Sequence, residues 1–262
     1  MQAPTVVVTR PRGPTGGREE FVARLRQEGF SPVVFSPQTV CFLPLSHDEE
    51  RRVVEVLSAR SPCIALLSPT SVFAFQEIVQ KLFNDRPMPD IRFASQGAGT
   101  SRAIEECFRH KPFFEATLST AEGFAEEFLK LPARPTEVFI PQSSIGREAL
   151  APLLRAGGVS VCEVAAYSLV TACPEQDEQR VIAHAAAVNG CIVFMSPSAV
   201  RATIETCSDS ESLRRLRVIS IGPSTSEAIR GVGLRVTVEA TGHSEEGVIG
   251  ALRRCVAAQG EV

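Results

Sequence analysis

Tryptophan is absent from the chain and tyrosine occurs once, at Tyr167, so nucleobases stacked on an aromatic platform are not expected. An excess of either sign of charge is lacking as well. Against 27 Lys and Arg stand 30 Asp and Glu, a net of −3, which gives no electrostatic footprint for nucleic acid. No apolar run approaches the roughly 20 residues that cross a bilayer, so no membrane partner is expected. The four histidines, His47, His110, His184 and His243, show no H-x-x-x-H spacing, and the eight cysteines form no C-x-x-C pair. Neither pattern points to a metal site. No strand-borne G-x-G-x-x-G appears, which disfavours a dinucleotide enzyme. The N-terminal MQAPTVVVTRPRG has no basic segment leading into an apolar one, and no Arg- and Ser-rich transit character. A reduced, cytoplasmic protein is expected, and an exported bilobed solute-binding protein is disfavoured.

Apolar residues make up 44% of the 262 positions and charged residues 22%, which allows a large core or two. Short β-branched or apolar runs (Val6–Val8, Val33–Phe35, Ile64–Leu67, Ile91–Ala94, Val138–Ile140, Val159–Val170, Ile192–Met195, Val218–Ile221, Leu234–Val238) alternate with segments of helical period. With almost no hairpin signals between them, this alternation implies an α/β fold with parallel sheets.

The chain repeats itself. IALLSPTSVFAFQEI (64–78) aligns with IVFMSPSAVRATIET (192–206), and SQGAGTSRAI (95–104) with SIGPSTSEAI (220–229). STAEGFAEEFL (119–129) aligns with HSEEGVIGALR (243–253), and the segment 17–40 with GREALAPLLRAGGVSVCEVAAYSLV (146–170). The order is kept while the offset drifts slowly, as changes in loop length would make it, so the fold is expected to be internally duplicated. Four half-units follow from this. They can pack as tandem lobes, or as one lobe inserted into another.

The repeated segments share a chemistry. The segments 64–78, 95–104, 192–206 and 220–229 run from a buried strand through a tight turn into a helix N-terminus, where unpaired backbone N–H groups and the helix dipole favour an anion. The turns at Ser68–Ser71, Gly97–Ser101, Ser196–Ser198 and Gly222–Ser226 supply such termini, and Arg10, Arg12 and Arg147 can add positive charge at loop positions. Against this stands a plainer reading. Ser68 and Ser196, each before a proline, are also ordinary N-caps. Tyr167 can be a packed strand residue, and Arg147 can serve to balance its helix.

In VVVTRP (6–11), IVFMSPSAVRA (192–202), ISIGPSTSEAIRGVGLRV (219–236), EATGHSEEGVIGAL (239–252) and 146–170 with its Tyr167, the chain resembles the uroporphyrinogen-III synthase family over nearly its whole length. The resemblance implies two flavodoxin-like α/β/α lobes joined by a two-stranded linker, and it selects the inserted packing. One lobe is then 1–38 with 174–262, the other 43–167, and 36–43 and 167–173 connect them, with the active site in the cleft between. The implied reaction cyclises the linear tetrapyrrole hydroxymethylbilane. Water is lost and ring D is inverted, giving uroporphyrinogen III without metal or organic cofactor. Tyr167 is the implied catalytic residue. Arg10, Ser68, Ser71, Gly97, Thr100, Ser101, Gly146, Arg147, Ser196, Ser198, Gly222, Ser224 and Thr225 are the implied substrate contacts. A monomer is expected. The rival expectation is a non-catalytic relative that binds a small anionic ligand as a sensor or regulator.

Overall fold

The computed structural model describes residues 3–14, 18–84, 90–118, 120–145, 150–242 and 244–257. In chain order the elements begin with β1 (Thr5–Thr9), α1 (Arg18–Gln27), β2 (Ser31–Phe35) and β3 (Gln38–Phe42). Next come α2 (His47–Leu57), β4 (Cys63–Leu66), α3 (Pro69–Phe83), β5 (Arg92–Gln96), α4 (Ala98–Phe108) and β6 (Phe114–Ala116). They are followed by α5 (Ala121–Leu129), β7 (Glu137–Ser143), α6 (Leu150–Ala156), β8 (Ser160–Thr171) and α7 (Gln176–Ala187). The chain closes with β9 (Cys191–Phe194), α8 (Pro197–Thr206), α9 (Ser210–Arg215), β10 (Arg217–Ser220), α10 (Pro223–Gly231), β11 (Val236–Glu239) and α11 (Glu245–Ala257).

Two compact units result. The first holds Met1–Gly13, Arg18–Thr39 and Val170–Val262, and the second is built on Val40–Leu169. The boundaries fall inside β3 and β8. The sheet of the first unit has the order β11-β10-β9-β1-β2, and its neighbouring strands pair in parallel. The second sheet has the order β3-β8-β7-β4-β5-β6, parallel from β8 to β6. Apart from β3, the spatial order in the two sheets is the same once β9, β10 and β11 are set against β4, β5 and β6, and β1 and β2 against β7 and β8.

Strand periodicity explains the layers. In the first unit Val6, Val8, Cys191 and Val193 point to one face, where they pack with Phe21 and Leu25 of α1 and Val248 and Leu252 of α11. Val7, Ile192, Phe194 and Val218 point to the other, against Ile182 of α7, Val200 of α8, Leu213 of α9 and Ile229 of α10. The second unit repeats this. Ile64, Leu66, Phe93 and Phe139 meet α2, α3 and α4, while Cys63, Ala65, Ala94, Val138 and Ile140 meet α5 and α6. A sheet buried on both faces needs apolar residues at every strand position, which is why these strands read as continuous apolar runs.

Three features were not legible in the sequence. β6 is a three-residue edge strand, and α9 is a six-residue, mostly polar helix. β7 continues to Ser143, through residues that read as loop, because β8 beside it offers ladder partners up to Tyr167.

Candidate functional site

In a parallel sheet the turns that follow the strands all lie at one edge, the carboxyl edge, where ligands of open α/β folds bind. In the second unit this edge carries Tyr167 of β8 and the turns after β7, β4 and β5. Tyr167 is 8% exposed. Its hydroxyl lies 3.1 Å from Ser68 Oγ, at the start of α3. Burial raises the phenol's pKa above its ordinary value, and the Ser68 hydrogen bond opposes that shift. The group therefore stays protonated, with its proton available, throughout the neutral range.

Ser68 is also the N-cap of α3. Its Oγ accepts from Ser71 N at 3.1 Å, and Ser71 Oγ donates to Ser68 O at 2.6 Å. Pro69 follows at the first helical position, where its missing N–H and fixed φ suit the turn. Ser196 caps α8 in the same way, accepting from Ala199 N at 3.1 Å, and lies 3.0 Å from Ser198 Oγ. Ser198 in turn donates to Gln38 Oε1 at 3.4 Å. The Ser-Pro turns thus have part of their helix-terminal donors satisfied by their own side chains.

The glycine turns differ. Gly97 and Gly222 are the N-caps of α4 and α10, and no side-chain hydrogen bond caps either helix. Gly97 O accepts from Thr100 N and Ser101 N, and Gly222 O from Thr225 N and Ser226 N. The N–H groups of Ala98 and Gly99, and of Ser224, then have no intrahelical acceptor. The two turns are not identical in backbone. Gly97 has φ of 79°, a conformation that favours glycine, whereas Gly222 is extended. Thr100 and Thr225 are each 2% exposed and Ser101 is 6% exposed, so their hydroxyls face inward, while Ser224 is exposed.

The arginines are engaged. Arg10 donates to Glu245 at 2.5 Å, and its guanidinium lies 5.1 Å from the centre of the Phe21 ring. Its Nε is buried without a partner. Arg12 pairs with Glu178 at 2.8 Å. A carboxylate ligand at Arg10 would therefore compete with Glu245. Gly146 and Arg147 lie outside the described residues.

Sequence reasoning passed over two carboxylates. Ser101 Oγ donates to Glu115 Oε2 on β6, and Ser226 Oγ donates to Glu239 Oε2 on β11 at 2.5 Å. The signal was present as a repeated tripeptide, Glu115-Ala116-Thr117 and Glu239-Ala240-Thr241. Among the described residues no group of three or more His, Cys, Asp or Glu side chains could hold a metal ion, and no helix is long and apolar enough to cross a membrane.

The fold has solved counterparts. A uroporphyrinogen-III synthetase from Helicobacter pylori is similar with a TM-score of 0.57 at 14% identity, covering 98% of this chain and 100% of that one. A mutant uroporphyrinogen III synthase from the extremely thermophilic bacterium Thermus thermophilus gives 0.54 at 17% identity, with 98% and 100% covered. No curated protein matches by sequence. The family model described as uroporphyrinogen-III synthase HemD matches residues 19–250. The chain belongs to the uroporphyrinogen-III synthase family.

Proposed function

We propose that the protein cyclises hydroxymethylbilane to uroporphyrinogen III in tetrapyrrole biosynthesis, acting as a lyase. The observation that carries the reading, alongside the family match, is the Tyr167–Ser68 pair at the carboxyl edge of the second sheet. When the C–O bond at the ring-A hydroxymethyl group breaks, the departing hydroxyl must gain a proton to leave as water. A buried phenol whose pKa is raised holds that proton at neutral pH. Ser68 Oγ can then donate to the phenolate oxygen left behind, which limits the penalty of a buried charge. The electron pair of the ring-A pyrrole stabilises the carbocation. The protein's remaining task is to hold ring D against that carbon, so that the spiro intermediate forms and the ring inverts before closure.

The substrate carries an acetate and a propionate on every ring. The uncapped first turns of α4 and α10 suit such groups, since backbone N–H donors and a helix dipole hold carboxylates without added cations. Arg10, Ser68, Ser71, Gly97, Thr100, Ser101, Gly146, Arg147, Ser196, Ser198, Gly222, Ser224 and Thr225 are the proposed substrate-binding positions. Of the hydroxyls at the α10 turn, exposed Ser224 is the better placed for direct contact.

The same reading takes 1–38 with 174–262 as one flavodoxin-like lobe and 43–167 as a second, duplicated from it and inserted, with 36–43 and 167–173 as connectors. The shared strand order supports the duplication. A cytoplasmic monomer that needs no metal or organic cofactor completes the proposal. The deciding experiment couples the purified protein to enzymatic formation of hydroxymethylbilane and separates the product isomers. The asymmetric type III isomer is expected. Only the symmetric type I isomer, the product of direct closure, would overturn the reading.

A further inference from the structure

One arrangement recurs in both units, and its glutamates have no part in the chemistry above. A fully buried serine is the last or next-to-last residue of the strand (Ser220 in β10, Ser95 in β5), a glycine follows two residues on, and a buried serine lies at the fourth helical position (Ser101, Ser226). That second serine donates to a glutamate on the adjacent edge strand, Glu115 in β6 and Glu239 in β11. In the second unit Ser95 Oγ lies 2.7 Å from Ser101 Oγ and 3.3 Å from Phe114 O. In the first, Ser220 Oγ donates to Gly222 O at 2.8 Å and accepts from Gly222 N at 3.2 Å.

A carboxylate accepts hydrogen bonds only, so the serine hydroxyl must donate to it, and a charged acceptor makes the bond stronger than a neutral one. The bond ties the first turn of the helix to the sheet edge at a helix start that has no side-chain cap. The Ser-Pro helices α3 and α8 cap themselves and have no such glutamate link in the described contacts. An exposed negative charge beside an anion-binding turn weakens anion binding by simple repulsion. Its presence at matching positions in both units therefore calls for a compensating role.

We propose that Glu115 and Glu239 are positioning residues, one in each unit, which hold the uncapped first turns of α4 and α10 in the orientation that binds substrate carboxylates. This rests on the function proposed above. The test is steady-state kinetics with hydroxymethylbilane on Glu115→Ala, Glu239→Ala and the corresponding Gln variants, with melting temperatures measured in parallel. An amide oxygen still accepts from the serine hydroxyl, whereas alanine removes the link to the edge strand. The Ala variants should raise KM by about tenfold, as the loss of one hydrogen bond to a charged group would, with kcat within about twofold. The Gln variants should return KM most of the way to that of the unmodified protein. Unchanged KM in both Ala variants would overturn the proposal. So would kcat and KM changes that merely follow lost melting temperature, or an effect that Gln fails to rescue. Failure of the underlying reading looks different: the unmodified protein itself would then give no type III isomer.

Discussion

The hydroxyls of Tyr167 and Ser68 lie 3.1 Å apart. From the residue sequence, Tyr167 could be a packed strand residue and Ser68 a cap. The structure makes both readings true at once, since Tyr167 is buried, Ser68 caps α3, and their hydroxyls meet. Replacing Tyr167 by Phe should lower kcat by about a hundredfold or more, with the circular dichroism spectrum unchanged; an unaltered rate would remove it as the proton donor. Ser68→Ala should destabilise the second unit by about 1 kcal/mol through the lost cap and also slow turnover. In the double variant the rate losses should be less than additive, because both changes remove the same pair. The pH dependence follows from the raised phenol pKa. The folded value lies above the unfolded value of about 10. The stability tied to the protonated phenol is then fully present below that value and is lost as pH rises through the folded one. Activity limited by this proton should not decline for want of it between about pH 7 and 9, a unit below the ordinary phenol value, which a pH–rate profile of kcat would check. Cysteines sort by the same logic. Cys63 is buried, and burial pushes its thiol up to about 12, whereas Cys173 is exposed. Alkylation of the native protein should label Cys173 and leave Cys63 untouched until unfolding, as peptide mass mapping would show.

The helix starts that follow β4, β5, β9 and β10 are of two kinds, Ser-Pro and glycine. Ser68-Pro69 and Ser196-Pro197 announce a capped helix by residue type alone, and the structure shows those caps. The glycine turns were legible as turns and as a repeated pair. That Thr100 and Thr225 face inward while Ser224 is exposed was not, because the direction of a side chain in a first helical turn depends on what packs against it. Nor does residue type distinguish Gly97 from Gly222, although of the two only Gly97 has a φ in the range that favours glycine. Gly97→Ala should therefore destabilise the protein by about 1–3 kcal/mol, and Gly222→Ala by less from backbone strain, as urea midpoints at constant m would show. β6 escaped the sequence reading because three residues at a sheet edge carry too little periodic pattern. With it went Glu115, even though its counterpart in the repeat is spelled the same way.

Over the whole molecule, the repeat and the alternation of strand and helix were readable because each rests on local pattern summed over many residues. The two compact units and the shared strand order depend on which strands pair, and pairing joins segments far apart in the chain, as β1 with β9. If Val40–Leu169 carries its own core, that segment expressed alone should unfold cooperatively in urea with native-like circular dichroism. A non-cooperative transition would mean that its sheet needs the rest of the chain.

Composition, periodicity and the repeated motifs were enough to establish a parallel α/β protein with no nucleic-acid or membrane signature, and to place strand-to-helix turns where an anion could be held. Their physical basis is local, in apolar period, capping chemistry and turn residues. Tertiary structure alone decided which of the turn hydroxyls are buried, that Arg10 and Arg12 already have carboxylate partners, and that Tyr167 meets Ser68 across 99 positions of sequence. Each of those outcomes is set by sheet order and burial, and the pairings among them join residues far apart in the chain, which no local pattern encodes.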